Sequence, residues 1–184
     1  INNGSSDNCS DAANLSLSLD VTSFSCANVG PNTVTLTVED EANNQSTAIA
    51  TVTVVDNIDP VLSLPSVANS YNADQGVCTA SLSFTATATD NCQVQSITYS
   101  VGQSSITFPY DFPVGTTTVQ VVAEDVNGNT VSESFVVTVV DNEIPVIASV
   151  SNISQIADAG NCSAIVNITA PSATDNCGIS GSVT

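Results

Sequence analysis

The sequence predicts an all-β fold built from tandem repeats, and three observations carry this prediction. Val and Thr together make up about a quarter of the chain, and these β-branched residues favour pleated strands over helices. Short runs alternate apolar residues with Ser or Thr, whereas helical periodicity is absent. The same motifs also recur about 85 residues apart, which is typical of a repeat architecture.

Within the middle repeat, the strand signals follow one another at the spacing of a β-sandwich. An Asn-Gly pair at Asn127 and Gly128 predicts a hairpin between the last two strands, because both residues tolerate a positive φ. Pro109 and Pro113 predict an irregular crossing, since proline donates no ladder hydrogen bond. We therefore expect about seven antiparallel strands per repeat, in an immunoglobulin-like or fibronectin-type sandwich. The predicted strands are Val61–Leu64, Val77–Ala86, Ser96–Val101, Ile106–Phe108, Thr117–Ala123 and Thr130–Val140.

The recurring motifs place the repeat boundaries. Thr53-Val54-Val55-Asp56-Asn57 returns as Thr138-Val139-Val140-Asp141-Asn142. We expect residues 1–58 to be the back of one repeat, 59–143 to be a complete repeat and 144–184 to be the front of the next. Because no Gly/Ser-rich spacer separates them, the predicted arrangement is a semi-rigid, extended rod. The absence of an initiator Met and of a signal peptide predicts a piece of a mature or longer chain.

The charge of the chain excludes several functions. The 184 residues include 18 Asp and Glu but no Lys, Arg or His, for a net charge of −18. Nucleic-acid binding needs cations to neutralise phosphates, and Ser-His and Cys-His catalysis need a histidine base. No apolar run is long enough to span a membrane. An acid pair such as Glu124 and Asp125 is a poor glycosidase candidate, because adjacent strand residues point to opposite faces. We expect no catalytic activity, no nucleic-acid partner and no membrane insertion.

Acidic and amide residues gather at the predicted joints between repeats, where the incoming linker should meet two turns of the next repeat. Clustered carboxylates repel one another, and Ca²⁺ relieves this by taking 6–8 oxygen ligands in flexible geometry. Asp and Asn are also common turn residues, which is the alternative explanation. The sequence predicts calcium at the joints. The candidate ligands are Asp56, Asn57, Asp59, Asp90, Asn91, Glu124, Asp125, Asn127 and Asn129 at the first joint, Asp141, Asn142, Glu143, Asp175 and Asn176 at the second, and Asp7, Glu39 and Asp40 at the joint expected before residue 1.

Six cysteines in a β-rich chain of secreted type predict disulfides. Local pairing within each repeat is the simplest of 15 connectivities, giving Cys9–Cys26, Cys78–Cys92 and Cys162–Cys177. A straight strand from Val77 would separate Cys78 from Cys92 by roughly 30 Å, so this pairing requires a short strand and a loop that folds back. Pairing between repeats is the alternative.

Several of these motifs together resemble HYR (hyalin) repeats. They are Thr-Asp-Asn-Cys, Phe112-Pro113-Val114-Gly115-Thr116 followed by Glu124-Asp125-Val126-Asn127-Gly128, and the closing Val-Thr-Val-Val-Asp-Asn-x-x-Pro. The resemblance implies an immunoglobulin-like extracellular module used in adhesion or spacing. The motifs are also similar to tandem repeats of giant surface adhesins of Bacteroidota, including gliding-motility adhesins exported by the type IX system. The usual first cysteine is replaced by Leu64, and Ser134 or Phe135 stands where the late one would be.

We therefore expect a non-catalytic structural segment of a large extracellular filament or adhesin at the cell surface. Its partners would be neighbouring repeats of the same long chain, and surface glycans or proteins through regions outside this sequence. The alternative is a set of spacer or glycan- or protein-binding accessory modules in a large secreted hydrolase.

Overall fold

A computed structural model describes residues 4–179 of the chain. Its regular structure consists of fourteen strands and two single-turn 3₁₀ helices, Ala12–Asn14 and Cys26–Asn28, with no α-helix among the described residues. The strands form several sheets, which contain antiparallel pairs and a parallel pair. The all-β prediction with immunoglobulin-like sandwich character is confirmed. Contacts divide the described chain into two units, which do not follow the predicted repeat boundaries; those boundaries stay a prediction.

The first unit contains the described residues up to Leu62 together with Ala88–Ile97 and Val122–Val131. Its main sheet has the order β1 (Ser16–Leu19), β2 (Gly30–Glu39) and β3 (Gln45–Val54). The long antiparallel ladder between β2 and β3 runs from Gly30 opposite Val54 to Glu39 opposite Gln45. Val34 and Leu36 of β2 are buried, as expected for a strand that turns alternate side chains to one face.

The second unit contains Ser63–Thr87, Thr98–Val121 and the described residues from Ser132 onwards. The strands of the middle repeat are β4 (Val61–Ser63), β5 (Tyr71–Asn72), β6 (Thr79–Leu82), β7 (Thr87–Thr89), β8 (Val94–Val101), β9 (Ser104–Ile106), β10 (Tyr110–Pro113), β11 (Gly115–Asp125) and β12 (Thr130–Val140). Five of them form a sheet in the order β5-β12-β11-β8-β9, whereas β6 pairs with β10 and β4 pairs with β7. Strands β13 (Val146–Ile147) and β14 (Ala173–Thr174) form a short antiparallel pair.

Aromatic rings fill the core of the second unit. The ring of Phe84 lies 5.9 Å from that of Phe112 on β10 and 5.2 Å from that of Phe135 on β12. It also meets the rings of Tyr71 and Phe108 in edge-to-face contacts. Such pairs contribute beyond the area they bury. Phe84 therefore joins side chains of two different sheets into one core.

Two of the strand predictions need correction. Pro109 and Pro113 do not bracket an irregular crossing, because Tyr110–Pro113 forms β10 and pairs with β6 from Tyr110 opposite Leu82 to Pro113 opposite Thr79. Pro113 stands at the end of this strand, where a missing donor costs least. The predicted strand Val77–Ala86 is much shorter and ends at Leu82.

Candidate metal centre

The β11–β12 hairpin holds the first carboxylate of the site. Asp125 ends β11, and its Oδ1 accepts hydrogen bonds from the backbone N–H groups of Asn127 and Asn129, each at 2.8 Å. The side-chain amide of Asn129 donates to Oδ2 at 2.7 Å. Gly128 adopts a φ of +94° in this turn, which a residue without Cβ tolerates best. The Asn-Gly hairpin prediction is confirmed, and the turn itself fixes the carboxylate.

Asp125 is completely buried but remains an acid of lowered pKa. Burial raises the pKa of its carboxyl, and the hydrogen bonds from the side chain and backbone of Asn129 and from the backbone of Asn127 outweigh this effect. Hydrogen bonds to the charged form favour ionisation. The buried carboxylate therefore carries its negative charge at neutral pH.

The Asp-Asn-Cys turn after β7 holds the second carboxylate. The Oδ1 of Asp90 accepts hydrogen bonds from the backbone N–H groups of Cys92 at 2.8 Å and Gln93 at 3.1 Å. Its other oxygen, Oδ2, is buried and has no hydrogen-bond partner among the described residues. Because Oδ1 receives both backbone donors, the turn leaves Oδ2 available to another ligand.

The segment after β3 holds the third carboxylate. The Oδ1 of Asp56 accepts from the backbone N–H of Ile58 at 3.3 Å and from the side-chain amide of Asn91 at 3.2 Å. The Oδ2 of Asp56 is likewise buried, with no hydrogen-bond partner within residues 4–179. The amide of Asn129 also donates to the backbone carbonyl of Asp56 at 3.4 Å. These contacts tie the segment after β3 to both turns.

We call Asp56, Asp90 and Asp125 the carboxylate cluster. One oxygen from each of the three lies within 4.8 Å of the others. Within residues 4–179 they are the only group of three or more Asp, Glu, Cys or His side chains that approach this closely. Two oxygens bound to one Ca²⁺ at 2.3–2.6 Å lie up to about 5 Å apart. The spacing and the two unpartnered buried oxygens fit a hard cation of this size.

The other candidates at the first joint lie outside the carboxylate cluster. Asn91 and Asn129 donate hydrogen bonds to Asp56, and Asn127 contributes its backbone N–H to Asp125. Glu124 precedes Asp125 on β11, where successive residues point to opposite faces. It lies outside the cluster, as do the exposed side chains of Asn57 and Asp59.

The turn after β2 reproduces the geometry of the hairpin at Asp125. The Oδ1 of Asp40 accepts from the backbone N–H groups of Ala42 and Asn44, each at 2.8 Å, and the amide of Asn44 donates to Oδ2 at 2.8 Å. Hydrogen bonds from Asn44 lower the pKa of Asp40, whereas the negative charge of nearby Asp7 raises it. Glu39 accepts a hydrogen bond from the side chain of Gln45. Asp7 and Asp40 thus lie on turns of the same kind as Asp90 and Asp125. Among the described residues, no third acid forms a cluster with them.

The candidates at the second joint contact other partners. Glu143 accepts a hydrogen bond from the backbone N–H of Gly76 at 2.9 Å, and its own N–H donates to Asp141 at 3.1 Å. Asp175 accepts from the backbone N–H of Cys177 at 3.0 Å. The amide of Asn176 donates to the carbonyl of Val77 at 2.8 Å, and its buried Oδ1 has no hydrogen-bond partner in the part of the chain that the structure describes. Asn142 is exposed. This joint therefore brings no described cluster of three acids together.

The disulfides differ from the expected local pairing. Cys26 pairs with Cys92 and Cys78 pairs with Cys177, with Cα–Cα distances of 5.2 and 4.8 Å. Each bridge joins residues of two different predicted repeats. Cys9 and Cys162 are exposed and form no disulfide in the described part of the chain. Local pairing is therefore wrong. The cysteine of each bridged Asp-Asn-Cys turn is bonded to a cysteine of the preceding predicted repeat and not to one in its own repeat.

Sequence reasoning missed the acceptors that hold these turns. The carbonyls of Val77 and Asp56 belong to the backbone, so no residue type marks them. The only available signal for the disulfides was geometric: the distance between Cys78 and Cys92 along a straight strand already argued against their pairing.

Known proteins resemble much of the chain. Residues 55–139 match the model of the HYR domain. Over 163 residues the chain is 35% identical to the hyalin of Strongylocentrotus purpuratus, covering 84% of this chain and 13% of the relative. It is 34% identical to the hyalin of Lytechinus variegatus over 153 residues, covering 79% of this chain and 28% of the relative. Neither relative bears on the expected bacterial setting.

The described part of the chain contains no helix long and apolar enough to cross a membrane. The family match covers the whole hairpin at Asp125, the Asp-Asn-Cys turn at Asp90 and the segment that begins with Asp56. It therefore includes all three members of the carboxylate cluster. Residues 55–139 are therefore similar to an HYR domain, and the whole chain spans only a small part of the two hyalins.

Proposed function

We propose that this chain is a non-catalytic structural segment of a long extracellular adhesive protein, in which Ca²⁺ and disulfides stiffen the joints between HYR-type repeats. The carboxylate cluster would bind one Ca²⁺. The repeats would then form a semi-rigid rod that carries adhesive regions located elsewhere in the longer protein. Hyalin-like matrix proteins and bacterial surface filaments, including those exported by the type IX system for gliding, are both settings for such a rod.

The observation that carries the calcium proposal is the pair of buried, unpartnered oxygens on Asp56 and Asp90. Buried polar groups without a hydrogen bond are uncommon and costly, and a carboxylate oxygen can only accept. Asp125 adds a third charge beside them. Because the chain has no Lys, Arg or His, no side chain can neutralise the cluster.

Calcium suits this site better than other common cations. Zn²⁺ prefers Cys and His ligands, and here Cys92, two residues after Asp90, is held in a disulfide with Cys26. Mg²⁺ demands a near-ideal octahedron and keeps several waters. The three carboxylates of the cluster supply the oxygen ligands that Ca²⁺ accepts in flexible geometry.

The disulfides support an extracellular setting and a mechanical role. Disulfides persist in oxidising compartments, and each of the two bridges here joins different predicted repeats. A covalent link and a metal at the same joint both restrict bending of one repeat against the next. The HYR match at residues 55–139 supports the same role.

Calorimetric titration with Ca²⁺ tests the metal site directly. The wild-type chain should bind one equivalent at the cluster, and Asp90→Asn should weaken this binding by about ten- to a hundredfold. In chelator, Asp90→Asn should instead raise the melting temperature, because it removes one of three repelling charges and supplies an N–H donor to its neighbours. A variant that weakens binding while stabilising the metal-free protein is the signature of an unneutralised carboxylate site.

Asp111→Asn is the matched control, since Asp111 is an exposed acid on β10 outside the cluster. It removes the same charge but should leave calcium binding unchanged. Equal effects of both variants would mean that Ca²⁺ responds only to net charge. An unchanged melting temperature of the wild-type chain on adding 100-fold excess Ca²⁺ over its dissociation constant would refute the site, because such binding adds about 2.7 kcal/mol.

A further inference from the structure

The loop that carries the free Cys162 has the same backbone hydrogen bonds as the loop that carries the paired Cys78. In the Cys78 loop, the N–H of Asp74 donates to the carbonyl of Thr79 at 2.8 Å, and the N–H of Val77 donates to Asp74 at 3.2 Å. In the Cys162 loop, Asp158 donates to Ser163 and Asn161 donates to Asp158, each at 2.9 Å.

A glycine of positive φ occupies the same place in both loops, with φ of +77° at Gly76 and +84° at Gly160. Cys162 therefore sits on a fully formed copy of a loop that elsewhere in the chain holds a disulfide.

The turn that carries the free Cys9 is likewise formed. The Oδ1 of Asp7 accepts from the backbone N–H groups of Cys9 at 2.9 Å and Ser10 at 2.7 Å. These bonds lower the pKa of Asp7. Asp90 holds Cys92 by the same pair of backbone hydrogen bonds. The Asp7-Asn8-Cys9 turn is thus shaped like the two Asp-Asn-Cys turns that form disulfides.

One complete loop-and-turn pair shows how the two elements fit. Cys177 of the Asp175-Asn176-Cys177 turn is bonded to Cys78 of the first loop. The amide of Asn176 donates to the carbonyl of Val77, the residue before Cys78. A side-chain-to-backbone hydrogen bond therefore accompanies the covalent link, and the same contact is available between Asn8 of a turn and Asn161 of a loop.

We propose that the Cys162 loop is a docking site for the Asp-Asn-Cys turn of another HYR-type module, and that Cys162 forms a disulfide with that turn. A second copy of this chain supplies the turn at Cys9. Both thiols are exposed and have no partner among residues 4–179, and each lies on an element that is already shaped for pairing. The result is a chain of disulfides running from module to module.

The redox balance of the link is simple with glutathione disulfide as the oxidant. The thiolate of Cys162 attacks a glutathione sulfur and displaces one glutathione as thiolate. The thiolate of Cys9 on the other copy then attacks the Cys162 sulfur and displaces the second glutathione. The two cysteines lose two electrons and two protons in total, and glutathione disulfide is reduced to two glutathione molecules.

Two single variants test this proposal, because neither can form a Cys9–Cys162 disulfide within one chain. Cys9→Ser keeps only the Cys162 thiol, and Cys162→Ser keeps only the Cys9 thiol. Incubated together in a glutathione redox buffer, they should form a heterodimer, whereas each alone should stay monomeric on a non-reducing gel. Peptide mapping must use a protease that cuts at Asp or Glu, since the chain has no Lys or Arg for trypsin. Mapping should recover the peptide of Cys9 bonded to that of Cys162.

Asn8→Ala in the Cys9-bearing partner tests docking apart from thiol chemistry. Loss of the hydrogen bond to the loop carbonyl should lower the heterodimer yield about fivefold, the equivalent of one ordinary hydrogen bond. Asn14→Ala, at an exposed asparagine outside the turn, is the matched control and should leave the yield unchanged. Homodimers forming as fast as heterodimers, or a mixture that stays monomeric, would overturn the proposal.

Discussion

Replacing Cys26 and Cys92 by serine should lower the free energy of unfolding by about 4 kcal/mol. The bridge closes a loop with a sequence separation of 66 residues. Loop-closure entropy of about −2.1 − 1.5R ln n cal/mol/K then gives roughly 4.3 kcal/mol at 25 °C. Residual structure in the unfolded chain reduces this figure, so the calculated value is an upper limit.

The assay is equilibrium unfolding in guanidinium chloride followed by far-ultraviolet circular dichroism, because the chain has no Trp. The parent should be Cys9→Ser/Cys162→Ser, which leaves no free thiol that could capture Cys26 or Cys92. This parent should be as stable as the natural chain, within about 0.5 kcal/mol, since both substituted residues are exposed and unpaired.

Local pairing makes the opposite prediction. If Cys9 were bonded to Cys26 and Cys162 to Cys177, the parent would already have lost two bridges, each closing a loop of about 15 residues and contributing about 3 kcal/mol. A parent destabilised by that amount would refute the disulfide connectivity described here.

Three further predictions concern the core, the acids and the hairpin. Phe84→Ala should cost about 3–5 kcal/mol in chemical unfolding, since this ring touches four other aromatic rings; a loss below 1 kcal/mol would contradict its central place. The hydrogen bond from the backbone N–H of Thr35 lowers the pKa of Asp20. The contribution of ionised Asp20 to the free energy of unfolding is therefore present above about pH 3.8 and lost as pH falls through the folded pKa. The melting-temperature difference between the natural chain and Asp20→Asn should therefore shrink below pH 4, and a constant difference would exclude this. Gly128→Ala should cost about 1–2 kcal/mol in the same unfolding assay because of its positive φ. Gly128→Asn should cost less, since Asn43 adopts a φ of +66° in the equivalent turn, and equal losses would argue against this reason.

Local features of the fold were predictable from sequence, whereas contacts between distant segments were not. Strands β11 and β12 and the hairpin at Gly128 follow from alternation and turn chemistry, which act within a few residues. The order of loops in a sandwich also indicated that Asp56, Asp90 and Asp125 would converge. The partner of Cys92 depends instead on how one repeat packs against the next. Strand β10 was hidden because Pro109 precedes it and Pro113 is its last residue, and its pairing with the distant strand β6 could not be read from the local sequence.

The turn containing Asp90, Asn91 and Cys92 is connected to the preceding predicted repeat in three ways. Asn91 donates to Asp56, Cys92 is bonded to Cys26, and Asp90 belongs to the carboxylate cluster. A disulfide two residues from a candidate ligand fixes that ligand before the metal arrives. Preorganisation of this kind reduces the entropy cost of metal binding. The Cys26–Cys92 disulfide and metal binding at the carboxylate cluster should therefore be coupled.

If this coupling exists, Cys26→Ser/Cys92→Ser should weaken calcium binding about tenfold in calorimetric titration, in the thiol-free parent. Linkage is reciprocal, so saturating Ca²⁺ must protect the Cys26–Cys92 bridge and raise the dithiothreitol concentration needed to reduce it by the same factor. The Cys78–Cys177 bridge is the internal control, because none of its neighbours belongs to the cluster, and its reduction should not respond to calcium. Calcium that protects both bridges equally would show a general stabilisation of the fold. Protection of the Cys26–Cys92 bridge alone would show that calcium binding at the carboxylate cluster is coupled to this disulfide.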